Sequence, residues 1–300
     1  MAELQHFSVL QMPKKRIPRL LMASGGWSDA AEAATTALRY FMGELPSRKM
    51  AEMDPEEFYD FTHVRPLVSL SSKGVRSLKW PSNELFYHDS SDSSQRFMFF
   101  VGTEPSLKWR TYCDAILDLA MRTGVHTVVH LGALLDAVPH SRPLTITGSA
   151  VGGELAKTLA GLNIRSSDYQ GPVGISSAMM ERCDARGVQF ATVWGHTSHY
   201  LQTSPNYRAA YSLVQAVCQL LALDLNLQRL KDAASSFEQE VQKVIDGDSR
   251  LKAYVERLEQ RYDESALVLP EMPNGEEMVR EVEEFLKDQR DNGNPRHGSD

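Results

Sequence analysis

Four short apolar runs along the chain each end in a compact loop that is rich in glycine, proline, aromatic and charged residues. The runs and the loops that follow them are residues 19–23 with 24–29, 97–101 with 102–106, 127–135 with 136–143, and 189–193 with 194–200. Runs of this length and composition are typical of buried strands. Because loops at the carboxyl ends of parallel strands share one edge of a sheet, we expect the four loops to meet at a single crevice.

Helix signals follow the first two strands. Asp29 lies three residues before Glu32, which is the spacing of a capping box, and residues 30–41 are rich in strong helix formers. After the second strand, Ser106 is placed to cap a helix that continues to about Arg122. This order of strand, helix and strand predicts an α/β fold with a mostly parallel sheet and helices on both faces.

Residues 62–96 interrupt this rhythm. Residues 64–70, 75–80 and 85–87 are short apolar stretches separated by turns, and the polar loop 89–94 follows them. We interpret the three stretches as hairpin-like strands that are attached to the sheet.

The last quarter of the chain has a purely helical pattern. The spacing of apolar residues from residue 226 predicts two antiparallel helices joined by a turn at residues 246–249, and their apolar faces are expected to supply partner or self-contacts. A third helix is predicted over residues 276–287. The predicted organisation is an α/β core domain over residues 1–225, a helical C-terminal extension over residues 226–287 and a disordered tail over residues 288–300.

The net charge of −7 is unevenly distributed. Residues 226–300 carry 18 acidic and 11 basic side chains, whereas residues 1–225 carry 21 of each. A neutral core with an acidic C-terminal quarter offers no basic stripe for phosphates, so nucleic acid is not an expected partner. No apolar run reaches the roughly 18 residues that span a bilayer, and residues 14–22 are too short and interrupted for a signal peptide. We therefore expect a cytoplasmic protein with no membrane partner.

The three cysteines, Cys113, Cys183 and Cys218, each fall within a helical pattern. This placement predicts reduced, buried thiols and argues against a disulfide or metal framework. The chain has neither a complete phosphate-binding loop nor a Gly-x-Ser-x-Gly nucleophile elbow, so an ATPase or a standard serine hydrolase is not supported.

The first two loops offer candidate polar groups. Gly26 precedes a helix and is placed to cradle an anion, but Asp29 in the same loop is also suited to cap the helix amides itself. Glu104 precedes a proline at a strand end. It is either a general base at the crevice or the partner of Arg110 or Arg142 in a scaffold ion pair.

The last two loops contain the histidines. His140 and Arg142 lie between prolines, where they either bind a phosphate or carboxylate or serve the architecture of the loop. His196 and His199 lack the glutamate of the zincin spacing and a third ligand, so no metal and no cofactor are expected. The candidate ligand-binding residues are Gly26, Trp27, Asp29, Glu104, Arg110, His140, Arg142, His196, His199 and Tyr200.

Taken in order, the loops carry a set of short motifs. They are Gly26-Trp27-Ser28-Asp29-Ala30-Ala31-Glu32-Ala33, Gly102-Thr103-Glu104-Pro105-Ser106, Val138-Pro139-His140-Ser141-Arg142-Pro143, Tyr169-Gln170-Gly171-Pro172-Val173-Gly174 and Trp194-Gly195-His196-Thr197-Ser198-His199-Tyr200. In this order they resemble the proteasome assembly chaperone 2 family, particularly its bacterial and archaeal members. The resemblance covers about residues 15–265.

The resemblance implies a three-layer α/β/α core of the phosphorylase/hydrolase-like fold, a helical C-terminal extension and a tendency to form homo-oligomers. Some members of the family help to assemble proteasome subunits, so proteasome-related protein partners are also implied. Archaeal members can dock on the proteasome through a C-terminal hydrophobic-Tyr-x motif, whereas this chain ends in residues 295–300 without it. Docking through such a tail is therefore not expected.

Two functions stay open at this point. The first is a non-enzymatic, oligomeric binding or assembly protein, which is what the family resemblance implies. The second is a small-molecule enzyme or sensor that acts on an anionic or nucleoside-like ligand at the crevice, where Trp27, Trp109 and Trp194 either stack on the ligand or belong to the core. Whether the chain catalyses any reaction is left undecided.

Overall fold

The computed structural model describes residues 6–72, 74–201 and 203–267. Its strands are β1 (Phe7–Val9), β2 (Arg19–Gly25), β3 (Arg48–Met53), β4 (Leu67–Leu70), β5 (Arg76–Lys79), β6 (Glu84–His88), β7 (Phe97–Thr103), β8 (Thr127–Asp136), β9 (Ile146–Thr147), β10 (Ala150–Val151) and β11 (Gln189–Ser198). Its α-helices are α1 (Ala33–Glu44), α2 (Trp109–Thr123), α3 (Gly153–Gly161), α4 (Ile175–Ala185), α5 (Tyr207–Leu221), α6 (Gln228–Gly247) and α7 (Ser249–Leu267).

The central sheet has the strand order β1-β3-β6-β7-β2-β8-β11-β10, and β9 also pairs with β11. Its four middle strands, β7, β2, β8 and β11, run parallel to one another, and the remaining pairs are antiparallel. The middle strands are buried along most of their length, as expected for parallel strands with both faces covered. Their carboxyl ends lie at one edge of the sheet, as the sequence predicts.

Helices cover both faces of the sheet. On one face, α1 and α5 pack against Leu21, Leu131 and Val193; on the other, α2 and α4 pack against Leu20, Val128 and Phe190. The alternation along each strand sends successive side chains to opposite helical layers. The predicted three-layer α/β/α core with a mostly parallel sheet is thereby confirmed.

The prediction for residues 62–96 is only partly correct. Residues 85–87 lie in β6, which joins the central sheet between β3 and β7. Strands β4 and β5 pair only with each other and form a separate two-stranded sheet. All eight of their residues are exposed, and two of them, Arg76 and Lys79, carry charges that are costly to bury against a sheet.

The first two helices begin later than predicted. A 3-10 turn spans Ala30–Glu32, and Glu32 precedes α1 with a left-handed φ of 52°. Helix α2 begins at Trp109, and Lys108, also with a φ of 52°, occupies the N-cap position expected for Ser106. In both cases a left-handed residue interrupts the helical backbone just before the regular helix starts.

The C-terminal region forms the two predicted helices, α6 and α7, with Asp248 as the only residue between them. Phe237 and Val241 of α6 are buried together with Val255 and Leu258 of α7, and Leu230 of α6 joins the core beside α5. Most of the apolar side chains on these faces are therefore buried within the chain, whereas Val244 on α6 is 66% exposed. That the two helices supply partner or self-contacts stays a prediction. The predicted third helix and disordered tail lie outside the described residues. No helix in the described part of the chain is long and apolar enough to cross a membrane.

Candidate functional site

The predicted crevice lies at the carboxyl edge of the central sheet, which we call the rim. Its open half consists of the loops after β2 and β7, residues 26–29 and 104–108. Its covered half consists of residues 136–143 and 196–200, after β8 and at the end of β11, over which α6 and α7 lie. Nine of the ten candidate residues divide between these halves, and Arg110 lies on the first turn of α2, so the structure does not bring them into one pocket.

Asp29 in the open half caps helix α1. Its Oδ1 atom accepts hydrogen bonds from the backbone amides of Ala34 at 2.7 Å and Thr35 at 3.1 Å, and its Oδ2 atom accepts one from the Thr35 hydroxyl at 2.6 Å. Burial raises the pKa of Asp29, while these hydrogen bonds oppose the rise. The prediction that Asp29 caps the helix amides is thus confirmed. The amides that it caps, those of Ala34 and Thr35, lie in the first turn of α1, after the 3-10 turn, and Glu32 does not form a capping box with Asp29.

Glu104 and Gly26 lie in close contact and join the two loops of the open half. The Glu104 amide donates to the Gly25 carbonyl at 2.8 Å, and a Cβ atom added to Gly26, where φ is +123°, would lie 3.3 Å from the Glu104 Cβ. The Glu104 Oε1 atom accepts a hydrogen bond at 2.7 Å from the amide of Ile175, the first residue of α4. Its observed role is therefore to cap α4, and it pairs with neither arginine that the sequence offers.

The three rim tryptophans have different environments. Trp27 is 64% exposed, and the ring lies beside Gly174, where an added Cβ would be 3.3 Å from Cε3. Trp109 is half-buried and donates from Nε1 to the Pro105 carbonyl at 2.7 Å, while Trp194 packs across Gly132 on β8. Only Trp27 of the three is available to a partner molecule. Arg110 is exposed on the first turn of α2.

Arg142 in the covered half is held by helix α7. Its Nε and Nη2 atoms donate to the two carboxylate oxygens of Asp263 at 2.8 and 2.7 Å, and Glu259 lies 3.5 Å from Nη1. These carboxylates raise the pKa of the Arg142 guanidinium above its usual range. Because two acids already neutralise the guanidinium, the geometry does not favour an anionic ligand at this position.

His140 is buried against Tyr200. The His140 amide donates to the Tyr200 hydroxyl oxygen at 2.7 Å, and Nδ1 lies 2.8 Å from the same atom. Burial lowers the pKa of His140 and raises the pKa of Tyr200. A small pocket between this loop and α6 is lined by His140, Ser141, Ser235, Glu238, Gln239 and Gln242.

His199 links the rim to helix α7. Its Nδ1 atom lies 2.9 Å from the Asp136 carbonyl oxygen, and its Nε2 atom lies 2.9 Å from the Tyr254 hydroxyl. Because a carbonyl oxygen only accepts, Nδ1 carries the proton and Tyr254 donates to Nε2. Both ring nitrogens of His199 therefore form hydrogen bonds within the chain.

His196 forms a short relay with two residues outside the candidate set. Its Nδ1 atom lies 2.7 Å from Asp136 Oδ2, and its Nε2 atom lies 2.9 Å from Thr147 Oγ1. Burial alone would raise the pKa of Asp136, but the hydrogen bonds that it accepts from His196 and from the Ala137 amide favour the carboxylate, and the pKa is lowered. With Asp136 ionised, Nδ1 donates to the carboxylate and the Thr147 hydroxyl donates to Nε2.

Sequence reasoning missed several residues that shape the covered half: Asp136, Thr147, Tyr254, Glu259 and Asp263. Asp136 carries a signal, since it directly ends an apolar strand. The other four do not, because their partners lie 49 to 121 positions away in the sequence. Only the folded chain places them together.

The cysteines and the groups that could bind a metal ion were also candidates for chemistry in the described part of the chain. Cys113, Cys183 and Cys218 lie in helices α2, α4 and α5 and are free and buried, as predicted. Burial raises the pKa of Cys183 to about 12 and of Cys218 to about 11, which disfavours the reactive thiolate. Among the described residues, no group of three or more His, Cys, Asp or Glu side chains is placed to hold a metal ion.

Comparison with known families identifies one match. The sequence profile of the PAC2 family, the proteasome assembly chaperone 2 family, matches residues 23–245. Among proteins with curated descriptions, none matches the sequence.

Several solved structures are similar to this chain. A PAC2 family protein from Streptomyces avermitilis is 32% identical with a TM-score of 0.70, over 79% of this chain and 99% of that one. A proteasome-assembly chaperone homologue from Mycobacterium tuberculosis is 31% identical with a TM-score of 0.71, over the same 79% and 99%. A second Mycobacterium tuberculosis protein, of unknown function, is 26% identical with a TM-score of 0.77, over 87% of this chain and 92% of its own.

Proposed function

Because the chain belongs to the PAC2 family, we propose that it is a non-enzymatic binding protein with an assembly-chaperone-like role. We further propose that proteasome-related proteins are among its partners and that they bind the open half of the rim. One of the similar structures is described as a proteasome-assembly chaperone homologue, and this supports the choice of partner class.

The observation that carries the proposal is a contrast at the rim: its charged side chains are bonded within the chain, whereas one large aromatic side chain is exposed to solvent. Asp29, Glu104 and Arg142 are engaged in caps and ion pairs within the chain. Trp27, by contrast, exposes 64% of its surface although it is a large aromatic residue. An exposed tryptophan is the residue type most often found at the energetic centre of a protein interface.

Trp27 is not isolated. Three other large apolar side chains in the neighbouring loops are also exposed: Leu107, Tyr169 and Val173. Val173 adjoins Gly174, which contacts the Trp27 ring, and Leu107 follows Glu104 in the loop after β7. We call these four residues the Trp27 surface. A set of exposed apolar side chains on neighbouring loops is typical of a protein-binding surface and less typical of a small-molecule pocket.

The test measures binding of purified proteasome α and β subunits to the immobilised chain by biolayer interferometry. We expect Trp27→Ala to weaken binding at least tenfold, roughly the 1.4 kcal/mol or more that truncation of a central aromatic costs. The matched control is Met121→Ala on the outer side of α2, which removes an exposed apolar side chain remote from the rim and should leave binding unchanged.

Two outcomes would contradict the proposal. If the unmodified chain binds none of the subunits, proteasome-related partners are wrong. If the subunits bind but Trp27→Ala binds as tightly as the control, the location of the surface is wrong. Sedimentation velocity of the same samples tests the further proposal that the chain forms homo-oligomers.

A second candidate function is favoured by the relay of Asp136, His196 and Thr147. A hydroxyl that donates to an imidazole, which in turn donates to a carboxylate, is the arrangement of an activated nucleophile. The relay is largely buried, since the His196 and Asp136 side chains are 11% and 15% exposed and Thr147 is 8% exposed. In an esterase reaction Thr147 Oγ1 would attack the carbonyl carbon, and His196 would take the hydroxyl proton and pass it to the leaving alcohol as the ester C–O bond breaks. Water, deprotonated by His196, would then attack the acyl-threonine and release the acid, and the proton would return to Thr147.

Hydrolysis of p-nitrophenyl acetate tests this second candidate. The enzyme hypothesis requires turnover that Thr147→Val abolishes and Thr147→Ser retains, because valine keeps the shape and serine keeps the hydroxyl. Equal rates for the unmodified chain and Thr147→Val would show that the relay is a structural connection between β8, β9 and β11.

A further inference from the structure

The hairpin of β4 and β5, residues 67–79, has an apolar face with no cover in the described part of the chain. Val68 lies opposite Leu78 and Leu70 lies opposite Arg76 on one face, whereas Leu67, Ser69, Ser77 and Lys79 share the other. Val68, Leu70 and Leu78 are each at least 60% exposed. A two-stranded hairpin is marginally stable in water unless its apolar face packs on something.

The base of the hairpin is fixed to the body of the protein. Trp80 packs edge-on against Phe61, with ring centroids 4.8 Å apart, and Phe61 packs in turn against the core. The hairpin is thus held in place at one end while its apolar face stays open. Residues 62–82 contain the cations Arg65, Lys73, Arg76 and Lys79 and no acidic residue. Of these cations, Arg76 lies on the apolar face, so an apolar segment with acidic residues at its border would complement this face.

One segment of the chain that lies outside the described residues has this chemistry. Residues 276–287 carry five acidic and two basic side chains, and their spacing predicts a helix. At 100° per residue, the apolar residues Met278, Val279, Val282, Phe285 and Leu286 fall on one face.

The charges of this segment are arranged around that face. On the helical projection Glu281 and Glu283 lie at its two borders, and Arg280 and Lys287 lie on the opposite side. The acidic borders match Arg76 on the hairpin, while the cations point away. The linker, residues 268–275, spans up to about 28 Å when extended, so the segment has considerable reach from the end of α7.

We propose that residues 276–287 bind the apolar face of the β4–β5 hairpin as an amphipathic helix, with one of the acidic borders of the helix beside Arg76. This mode of recognition places an apolar helix face on an apolar surface and uses charge for orientation. The occupant is this segment, from the same chain or from a neighbouring copy. The interface is separate from the Trp27 surface and does not depend on the function proposed there.

Photo-crosslinking of the full-length chain tests the proposal. A benzoylphenylalanine at position 78, on the apolar face, should crosslink to a peptide within residues 276–287, identified by mass spectrometry. The matched control is the same probe at position 79, which lies one residue away on the other face and should give at least fivefold less of that product. Mixing isotopically light and heavy chains reveals whether the crosslink joins one chain or two, and either result agrees with the proposal.

A charge exchange gives an independent readout of the same contact. Arg76→Glu should reduce the crosslink from position 78 several-fold, and adding Glu281→Lys and Glu283→Lys in that background should restore it. A crosslink from position 78 to any other region, no crosslink, or equal yields at positions 78 and 79 would overturn the proposal. A yield that does not respond to Arg76→Glu would overturn the assigned orientation.

Discussion

The two halves of the rim are built from equivalent parts of the same sheet, yet they use their side chains differently. In the covered half, His140, Arg142 and His199 are all bound by residues of the chain itself. In the open half, Asp29 and Glu104 cap helices, and a large aromatic side chain, Trp27, is left in solvent. Polar residues at a strand end therefore identify an edge of the fold, and only their partners decide whether that edge is free to bind.

The contacts of α6 and α7 account for part of the uneven charge of the sequence. Glu259 and Asp263 of α7 pair with Arg142, and Glu238 of α6 pairs with Arg208 of α5. Part of the acidic excess of the C-terminal quarter is thus matched to cations of the core. Arg142, which lies in the covered half, is neutralised by α7 and is not available for a ligand.

The largest expected effect comes from breaking the cover. Leu258 is 2% exposed between α6 and α7, so Leu258→Asp places an unpaired carboxylate in their shared apolar cluster. We expect a loss of roughly 3 to 5 kcal/mol in the stability of these helices. Hydrogen exchange should then show faster exchange in α6, α7 and residues 139–143, with the open half unchanged.

A matched control separates charge from location in this experiment. Val244 lies on α6 but is 66% exposed, so Val244→Asp introduces the same charge without burying it. Its exchange should equal that of the unmodified chain. If Leu258→Asp loosened both halves of the rim equally, the division into an open and a covered half would be wrong.

His130 lies on β8, and its burial predicts that the stability of the fold depends on pH. Its ring is fully buried beside Trp194, and neither nitrogen has a hydrogen-bond partner among the described residues. Burial lowers the pKa of His130 to about 4 from 6.5. Between these values the unfolded chain binds a proton that the folded chain does not, so stability falls as the pH falls from 6.5 toward 4.

The expected slope is about 1.4 kcal/mol per pH unit from this one group, or roughly 3 kcal/mol over the interval. Urea unfolding between pH 4 and pH 7 measures this dependence. His130→Leu should reduce the slope by this amount, whereas His126→Gln, at an exposed position four residues away, should not. An unchanged slope in His130→Leu would mean that the fold does not lower the pKa of His130.

A smaller effect is expected from the cap in the open half. Asp29→Ala leaves the buried amides of Ala34 and Thr35 without their acceptor, which should cost about 2 kcal/mol. Asp29→Asn keeps one acceptor oxygen and should cost about half as much. Thermal unfolding distinguishes the two variants. Equal losses would indicate that the charge of Asp29, and not its hydrogen-bond geometry, stabilises α1.

Much of the fold could be predicted from local pattern. The four parallel strands have continuous apolar runs, and α6 and α7 have a clear helical period, so both are visible in the sequence. The starts of α1 and α2 could not be predicted in this way. Glu32 and Lys108 adopt a left-handed backbone conformation that is not typical of glutamate or lysine. The sequence predicts that β4 and β5 join the sheet, and this is wrong because an exposed strand and a half-buried strand have similar composition.

The candidate site was harder to predict than the fold. The four loops do share one edge, which follows from the parallel order of their strands. Which loop stays open depends on α6 and α7, whose contacts with Arg142 and His199 join residues far apart in sequence. No short-range signal reports such contacts, so His140 and Arg142 resemble an anion site in the sequence although the fold neutralises Arg142.

The smallest expected effect concerns the ion pair that joins the cover to the rim. Arg142 binds Asp263 through two hydrogen bonds, but their side chains are 32% and 53% exposed, so water screens the attraction. We expect Arg142→Gln to lower the melting temperature by no more than about 2 °C. Arg110→Gln, at an exposed position with no ion pair among the described residues, is the control and should have no effect.

Salt sharpens this last prediction. The difference between Arg142→Gln and the unmodified chain should shrink further at 1 M sodium chloride, where screening acts over only about 3 Å. The apolar cluster around Leu258 would then be what holds α6 and α7 over the rim, with the ion pair setting their orientation. A melting temperature lowered by 10 °C or more in Arg142→Gln would reverse that assignment. Electrostatic attraction would then hold the cover in place, and the covered half would open at high salt.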